Sequence, residues 1–219
     1  MAKGNFCVIG LGNFGAHCAR SLFERGNDVI AVDRSREKVN NIRDFCSQAI
    51  VADATKKEML EPLALEEMDA VIISVGENIS TSILITLFLA EMGVKNIVVK
   101  ALSEDHSRIL EKVGANRIVF PEKDTAIKTA QILSDPNLAD FVPLSGDYMI
   151  AEIPLPSKLS GKTIAESQLR NKYNIQIIAI KSTKAIKPKL APTGDLLLKE
   201  DDILIVLGLK EDIDRFKDL

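Results

Sequence analysis

The stretch FCVIGLGNFGAH, Phe6 to His17, runs an apolar segment into three glycines spaced G-x-G-x-x-G. Its order is that of a strand, a tight turn and the start of a helix, a context that makes an otherwise weak pattern specific. Gly10 permits the turn, Gly12 lets backbone approach a phosphate, and Gly15 allows close packing of helix on strand. Asn13 and Phe14 complete the loop, and the helix N-terminus offers free N–H groups and a positive dipole end to an anion.

Outward from this loop, Asp33 ends the next apolar run, DVIAVD, eighteen positions after Gly15. A carboxylate there accepts hydrogen bonds from ribose hydroxyls and repels a 2′-phosphate, so NAD, ADP or ATP is expected over NADP. Arg34 beside it weakens that exclusion. Asp53-Ala54-Thr55 ends a third run and either approaches the adenine and its ribose or caps the following helix. Gly76 and Glu77 end a fourth, and Lys100 ends a fifth, where it either neutralises phosphate or stands as a surface lysine.

The runs FCVIG, DVIAVD, QAIVAD, DAVIISVG, NIVVKA and NRIVF alternate with helix-like segments over Phe14–Arg25, Arg36–Phe45, Lys56–Leu63, Ile79–Met92 and His106–Val113. Alternation at this spacing predicts an α/β fold: a Rossmann-like, doubly wound parallel sheet covered by helices on both faces. Pro121 suits the first position of a helix running to Ser134. The expected organisation is a nucleotide-binding domain over 1–134, a linker over 135–146 rich in turn residues, and a small α+β domain over 147–219. In the latter, strands are expected at Tyr148–Ile153, Ile175–Lys181 and Asp202–Leu207, a short pairing segment near Lys187–Leu190, and helices at Thr163–Lys172 and from Lys210.

Composition narrows the function. With 46% hydrophobic and 27% charged residues and a formal charge of −3, the chain has a core but no basic footprint, which argues against a nucleic-acid partner. Cys7, Cys18 and Cys46 have neither metal-ligand spacing nor an even-numbered disulfide framework, and suit a reducing cytosol. The first strand leaves no room for a signal peptide ahead of Phe6. The longest apolar segment, within Ile79–Met92, is too short to cross a bilayer, so no direct membrane insertion is expected. That helix is apolar nearly all round. It packs either between sheet and helices of one chain or, the favoured reading, against another subunit.

Catalytic apparatus is harder to find. The only histidines are His17 and His106, and neither falls in the C-terminal region where a substrate pocket would be sought. SGKT at Ser160–Thr163 resembles the end of a phosphate-binding loop, but Pro156 stands where the upstream glycine is needed. Thr163 and Glu166 instead make a capping box. An NAD-dependent oxidoreductase stays as the alternative, with Lys100 or His106 as proton donor.

Taken together, GLGNFG, VDRSREKV, the Asp53-Ala54-Thr55 triplet, SVGENIS, IVVKA and ILEKVGANRIVFPEKD resemble the RCK (or KTN) family, in particular the KtrA/TrkA-type cytosolic subunits of bacterial potassium-uptake systems. The resemblance spans essentially the whole chain, with residues 147–219 similar to the RCK-C (TrkA-C) domain. It implies a non-enzymatic gating subunit, cytoplasmic and held at the inner face of the membrane by a KtrB/TrkH-type potassium-translocating partner. Homodimers would assemble into an octameric ring, with ATP favouring the active form, ADP the inactive one, and NAD(H) occupying the same cleft.

The resemblance also implies a cation (Mg, Ca or Na) beside the phosphates at Glu122, although Glu122 equally suits a helix N-terminus. The helix it begins, with Ala126, Ile127, Ala130 and Leu133, is similar to a crossover helix between paired subunits. Relatives often carry Arg where this chain has Asn13, and a neutral amide cannot pair with a terminal phosphate as a charge. Cyclic di-AMP is implied at a C-terminal pocket of Ile164, Arg170, Asn174, Ile175 and Pro192. An ordinary core with a solvated arginine is the competing account.

Overall fold

A computed structural model of the chain describes residues 3–75, 78–135, 137–182 and 187–219. It divides into two compact units between Asp124 and Thr125.

The first unit holds strands β1 (Asn5–Ile9), β2 (Asp28–Asp33), β3 (Gln48–Val51), β4 (Ala70–Ile73), β5 (Ile97–Lys100) and β6 (Arg117–Val119). All pair in parallel, in the order β3-β2-β1-β4-β5-β6. The expected doubly wound sheet is thus present, and the strand order reverses between β1 and β4. Side chains alternate faces along each strand. On β1, Cys7 and Ile9 join one buried cluster with Ile73, Leu89, Val99 and Leu110. Val8 joins the other, with Ala19, Val29, Ala31 and Val39. Burial pushes the Cys7 thiol up to about 12, so it behaves as a small apolar residue.

The covering helices are α1 (Asn13–Glu24), α2 (Arg36–Ile42), α3 (Ile79–Glu91) and α4 (Glu104–Lys112). Side chains of Ser35, Asn78 and Ser103 cap the last three. The helix expected over Lys56–Leu63 is instead a run of 3-10 turns over Lys57–Met59, Glu61–Leu63 and Leu65–Glu67. Pro62 has no N–H to donate, and Ala64 takes a left-handed conformation (φ 48°) that separates the second turn from the third. On α3, Ser82, Ile85, Thr86 and Leu89 are buried, whereas Ile79 and Leu87 stay more than a third exposed. Helix α5 (Pro121–Ser134) begins at Pro121 as expected and has no buried residue.

In the second unit, β7 (Asp140–Pro143), β8 (Tyr148–Pro154), β9 (Gln176–Ser182), β10 (Lys189–Leu190) and β11 (Asp202–Leu209) form an antiparallel sheet ordered β10-β9-β11-β8-β7. The segment 135–146, expected as a plain connection, therefore contains an edge strand: β7 pairs with β8 from Asp140↔Glu152 to Pro143↔Met149. Its four residues are too few to announce themselves between turn formers, and an edge position accommodates Pro143. The helix expected over Thr163–Lys172 breaks into α6 (Ile164–Ser167) and α7 (Leu169–Tyr173), because Gln168 is left-handed (φ 50°). The Thr163–Glu166 capping box is complete. Helix α8 (Lys210–Lys217) buries Ile213 and Phe216, and Phe216 meets Tyr173 edge-on with ring centroids 5.5 Å apart.

Two glycines are required by this packing. A Cβ on Gly10 (φ +95°) would lie 2.3 Å from the Ser74 carbonyl oxygen, and one on Gly15 would lie 1.9 Å from that of Gly10. Both obstacles are backbone, so the structure has no side chain to move aside. Gly15→Ala is expected to destabilise the protein by about 3 kcal/mol through this overpacking. Chemical denaturation followed by circular dichroism measures it.

Candidate functional site

The glycine loop and the ends of β2, β3 and β4 enclose a cavity of about 280 Å³. Its lining includes Gly10, Gly12, Asp33, Arg34, Asp53, Ala54 and Thr55, all expected from the sequence, together with Lys38, Ser74, Asn78, Thr81 and Ile85, which were not. It lies outside the carboxyl ends of the strands at the β1/β4 reversal, where doubly wound sheets bind their ligands.

Each part of the loop is held by the strands below it. Gly10 N–H donates to the Val32 carbonyl at 2.8 Å, and Ser74 N–H to that of Ile9 at 2.7 Å. Asp33 Oδ2 accepts the Leu11 amide at 2.7 Å, and its Oδ1 accepts the Ser35 amide at 2.8 Å. The carboxylate therefore ties the loop to the start of α2, using one lone pair on each oxygen; the others remain for a ligand. Asp53 Oδ1 accepts both the amide and the hydroxyl of Thr55, the hydroxyl at 2.7 Å. Thr55, with smaller contributions from Lys56 and Arg34, holds the Asp53 carboxyl below the usual carboxylate range.

Gly12 differs from its neighbours. A Cβ there would meet nothing within 4 Å, and its φ of −68° suits any residue. The fold does not demand glycine at this position. A phosphate seated against bare backbone would.

Other expected residues sit elsewhere. Asn13, Phe14 and Gly15 form the first turn of α1 outside the cavity lining. Gly76 and Glu77 fall outside the described residues. Lys100 pairs with Glu122, which keeps the Glu122 carboxyl below its ordinary range. One carboxylate already matched to an ammonium does not make a cation site, and among the described residues no three His, Cys, Asp or Glu side chains gather to hold a metal. The fit to the implied cation is absent in a single chain.

His106 is buried, at 2% exposure. Its Nδ1 accepts the Leu102 amide at 3.2 Å, which assigns the ring proton to Nε2. Nε2 then donates to Ser82 Oγ at 2.8 Å, and that hydroxyl donates to the Ile79 carbonyl at 2.9 Å. Both nitrogens are used within the fold, Nε2 in fastening α4 to α3 and Nδ1 in holding the segment that enters α4. Thus neither His106 nor Lys100 stands free as the proton donor that a hydride-transfer reaction would need.

In the second unit, Ile175 is a core residue at 1% exposure and Ile164 packs partly against the same core. The Arg170 guanidinium donates to Gln176 Oε1, from Nε at 2.9 Å, and Asn174 Nδ2 donates to Asp212 Oδ2 at 3.0 Å. Pro192 is half-buried. The cavity of about 540 Å³ in this unit lies between α5, β7, β8 and α8 and includes none of these five. In the single chain Ile175 is thus part of the core, and Arg170 and Asn174 are hydrogen-bonded within the unit.

Residues 6–121 match the TrkA-N domain model and residues 148–219 the TrkA-C domain model. The chain belongs to the TrkA-N/TrkA-C domain family. Among its relatives, Ktr system potassium uptake protein A of Bacillus subtilis (strain 168) is 41% identical over 212 residues, covering 97% of this chain and 95% of the relative. The protein of the same description from Vibrio alginolyticus is 36% identical over 93% of this chain and 91% of its own length. Of the solved structures, the GsuK channel bound to NAD has a TM-score of 0.55 and 25% identity. It is matched over all of this chain, which spans 38% of that channel chain.

For this TrkA-N domain, Gly12→Ala is expected to leave stability within about 1 kcal/mol of wild type. In the same variant a ligand phosphate seated on this loop is expected to be held about tenfold more weakly, the equivalent of about 1.4 kcal/mol. Calorimetric titration beside thermal unfolding separates the two effects. A second expectation concerns His106. Burial lowers its pKa from 6.5, so the unfolded chain takes up the proton first as pH falls. Its contribution is fully present above about pH 6.5 and is lost between there and the lowered folded value. The urea midpoint of wild type should fall between about pH 7.5 and pH 5.5, and His106→Gln should flatten that fall.

Proposed function

We propose that this protein is the nucleotide-sensing gating subunit of a potassium uptake system. It binds an adenine nucleotide in the Gly10–Gly12/Asp33 cleft and acts on a membrane potassium-translocating partner rather than catalysing a reaction. The observation that carries this reading is the pairing of two facts. The chain is collinear with potassium uptake proteins over 97% of its length, and its cleft at the β1/β4 reversal keeps Gly12 bare although the packing does not require it.

A gate needs two shapes that the ligand binds unequally; equal affinity would shift nothing. The cleft supplies a lever, since Asp33 joins the loop to α2 and Asn78 and Thr81 bring in the first turn of α3. Assembly supports the same role. Helix α5 has no buried residue, with Ile127 at 49% and Leu133 at 80% exposure, and α3 presents Ile79 and Leu87. We assign these faces to contacts with further copies in a homodimer-based ring of eight at the inner face of the membrane.

Asn13 opens α1 with no charge to offer. Discrimination between ATP and ADP by pairing with the terminal phosphate is therefore weak in this chain. The test is a titration series with ATP, ADP, NAD and NADH on the purified full-length protein. ATP and ADP should bind within about tenfold of each other, Asn13→Arg should widen that gap, and Asp33→Ala should weaken every adenine nucleotide by at least about tenfold.

A further inference from the structure

The ribose end of the cleft carries charges that a simple preference for an unphosphorylated ribose does not explain. Arg34 and Lys38 both line the cavity beside Asp33, and among the described residues neither forms an ion pair. Arg34 lies near enough to Asp53 to help lower its pKa, yet no salt bridge joins them. The two carboxylates of this region are better satisfied. Asp33 accepts one backbone amide on each oxygen, and Asp53 accepts two bonds from Thr55. Two aspartates with hydrogen-bonded charge thus face two cations without counter-ions.

We infer that this end of the cleft takes a 2′-phosphate, with Arg34 and Lys38 as its contacts, so that 2′-phosphorylated adenine nucleotides such as NADP(H) are ligands. This rests on the reading of the cleft as an adenine-nucleotide site. Arg34 immediately follows the ribose-binding aspartate, and an arginine near that point is how such folds accommodate a 2′-phosphate. Its planar fork matches phosphate oxygens in pairs, while Lys38, four residues further on, adds a mobile point charge from the first turn of α2. Asp33 opposes the anion by charge. Its two amide bonds spread that charge over the loop and the α2 entry, and Thr55 takes up that of Asp53, so the two unpaired cations stay available to the phosphate. On this inference the cleft admits both classes, where the sequence reading expects NAD, ADP or ATP over NADP.

The test is a titration of the full-length protein with AMP, adenosine 2′,5′-bisphosphate, NAD and NADP. The bisphosphate is expected to bind at least as tightly as AMP, and NADP at least as tightly as NAD. Arg34→Ala and Lys38→Ala should each lower the bisphosphate-to-AMP affinity ratio about tenfold. If AMP and NAD bind but their 2′-phosphorylated counterparts bind more weakly, the inference is overturned while the nucleotide site stands. An unchanged ratio in both folded variants overturns the assignment of the contacts. If no adenine nucleotide binds, both readings fall together. The wild-type comparison decides the matter even where a variant does not fold.

Discussion

The whole first unit depends on one close approach of backbone to backbone. Gly10 passes against the Ser74 carbonyl at the end of β4, and Gly15 presses α1 against the carbonyl of Gly10. Neither position has room for a single additional carbon. The contact brings the N-terminus of α1 down onto the junction of β1 and β4, so the cleft forms where the sheet changes direction. Hydrogen bonds from Gly10 to Val32 and from Ser74 to Ile9 keep the strand ends level beneath it. Loop, helix and strands are therefore placed by sterics before any charged group is considered.

Electrostatics then act within that frame. A carboxylate at the end of β2 would be poorly placed for holding the loop if it were fully solvated. Asp33 instead accepts one amide from the loop and one from the entry to α2, and charge-assisted bonds of this kind are the strong ones. The same residue thus has a structural duty and retains capacity for a ligand. On the other side of the sheet reversal, the neutral ring of His106 ties α4 to α3 through Ser82. Since α3 contributes Asn78 and Thr81 to the cleft, the site's wall rests on a buried polar chain rather than on apolar packing alone. A histidine employed in this way holds helices together, with neither ring nitrogen left over for the proton-donor role that the alternative sequence reading gave it.

Local rules carried much of the reading. The glycine spacing, the helix start at Pro121, the Thr163–Glu166 capping box and the alternation of apolar runs each rest on interactions between residues close in the chain. They were legible for that reason. Elements whose identity depends on a distant partner were not. The strand Asp140–Pro143 exists because β8 pairs with it, and its four residues hold no pattern of their own. The segment after Lys56 has helix-forming composition, yet Pro62 and the left-handed Ala64 turn it into 3-10 turns whose Leu60 and Leu65 join the buried core. Gln168 breaks a helix without the glycine or proline that would advertise it.

The site divides along the same line. By itself the sequence determined that a glycine turn follows the first strand and that a carboxylate ends the second, because steric freedom at glycine and the length of a βαβ unit are properties of the local chain. Only the tertiary structure decided which side chains share the cleft. It brought in Lys38 from α2, Ser74 from the end of β4, and Asn78 and Thr81 from the start of α3, paired Lys100 with Glu122, and left Asn13 outside the lining. It also separated the glycine that packing does not require, Gly12, from the two that it does. The physical reason is that a cleft is made by strand order and crossover connections, which bring together residues whose separation along the chain holds no record of their meeting.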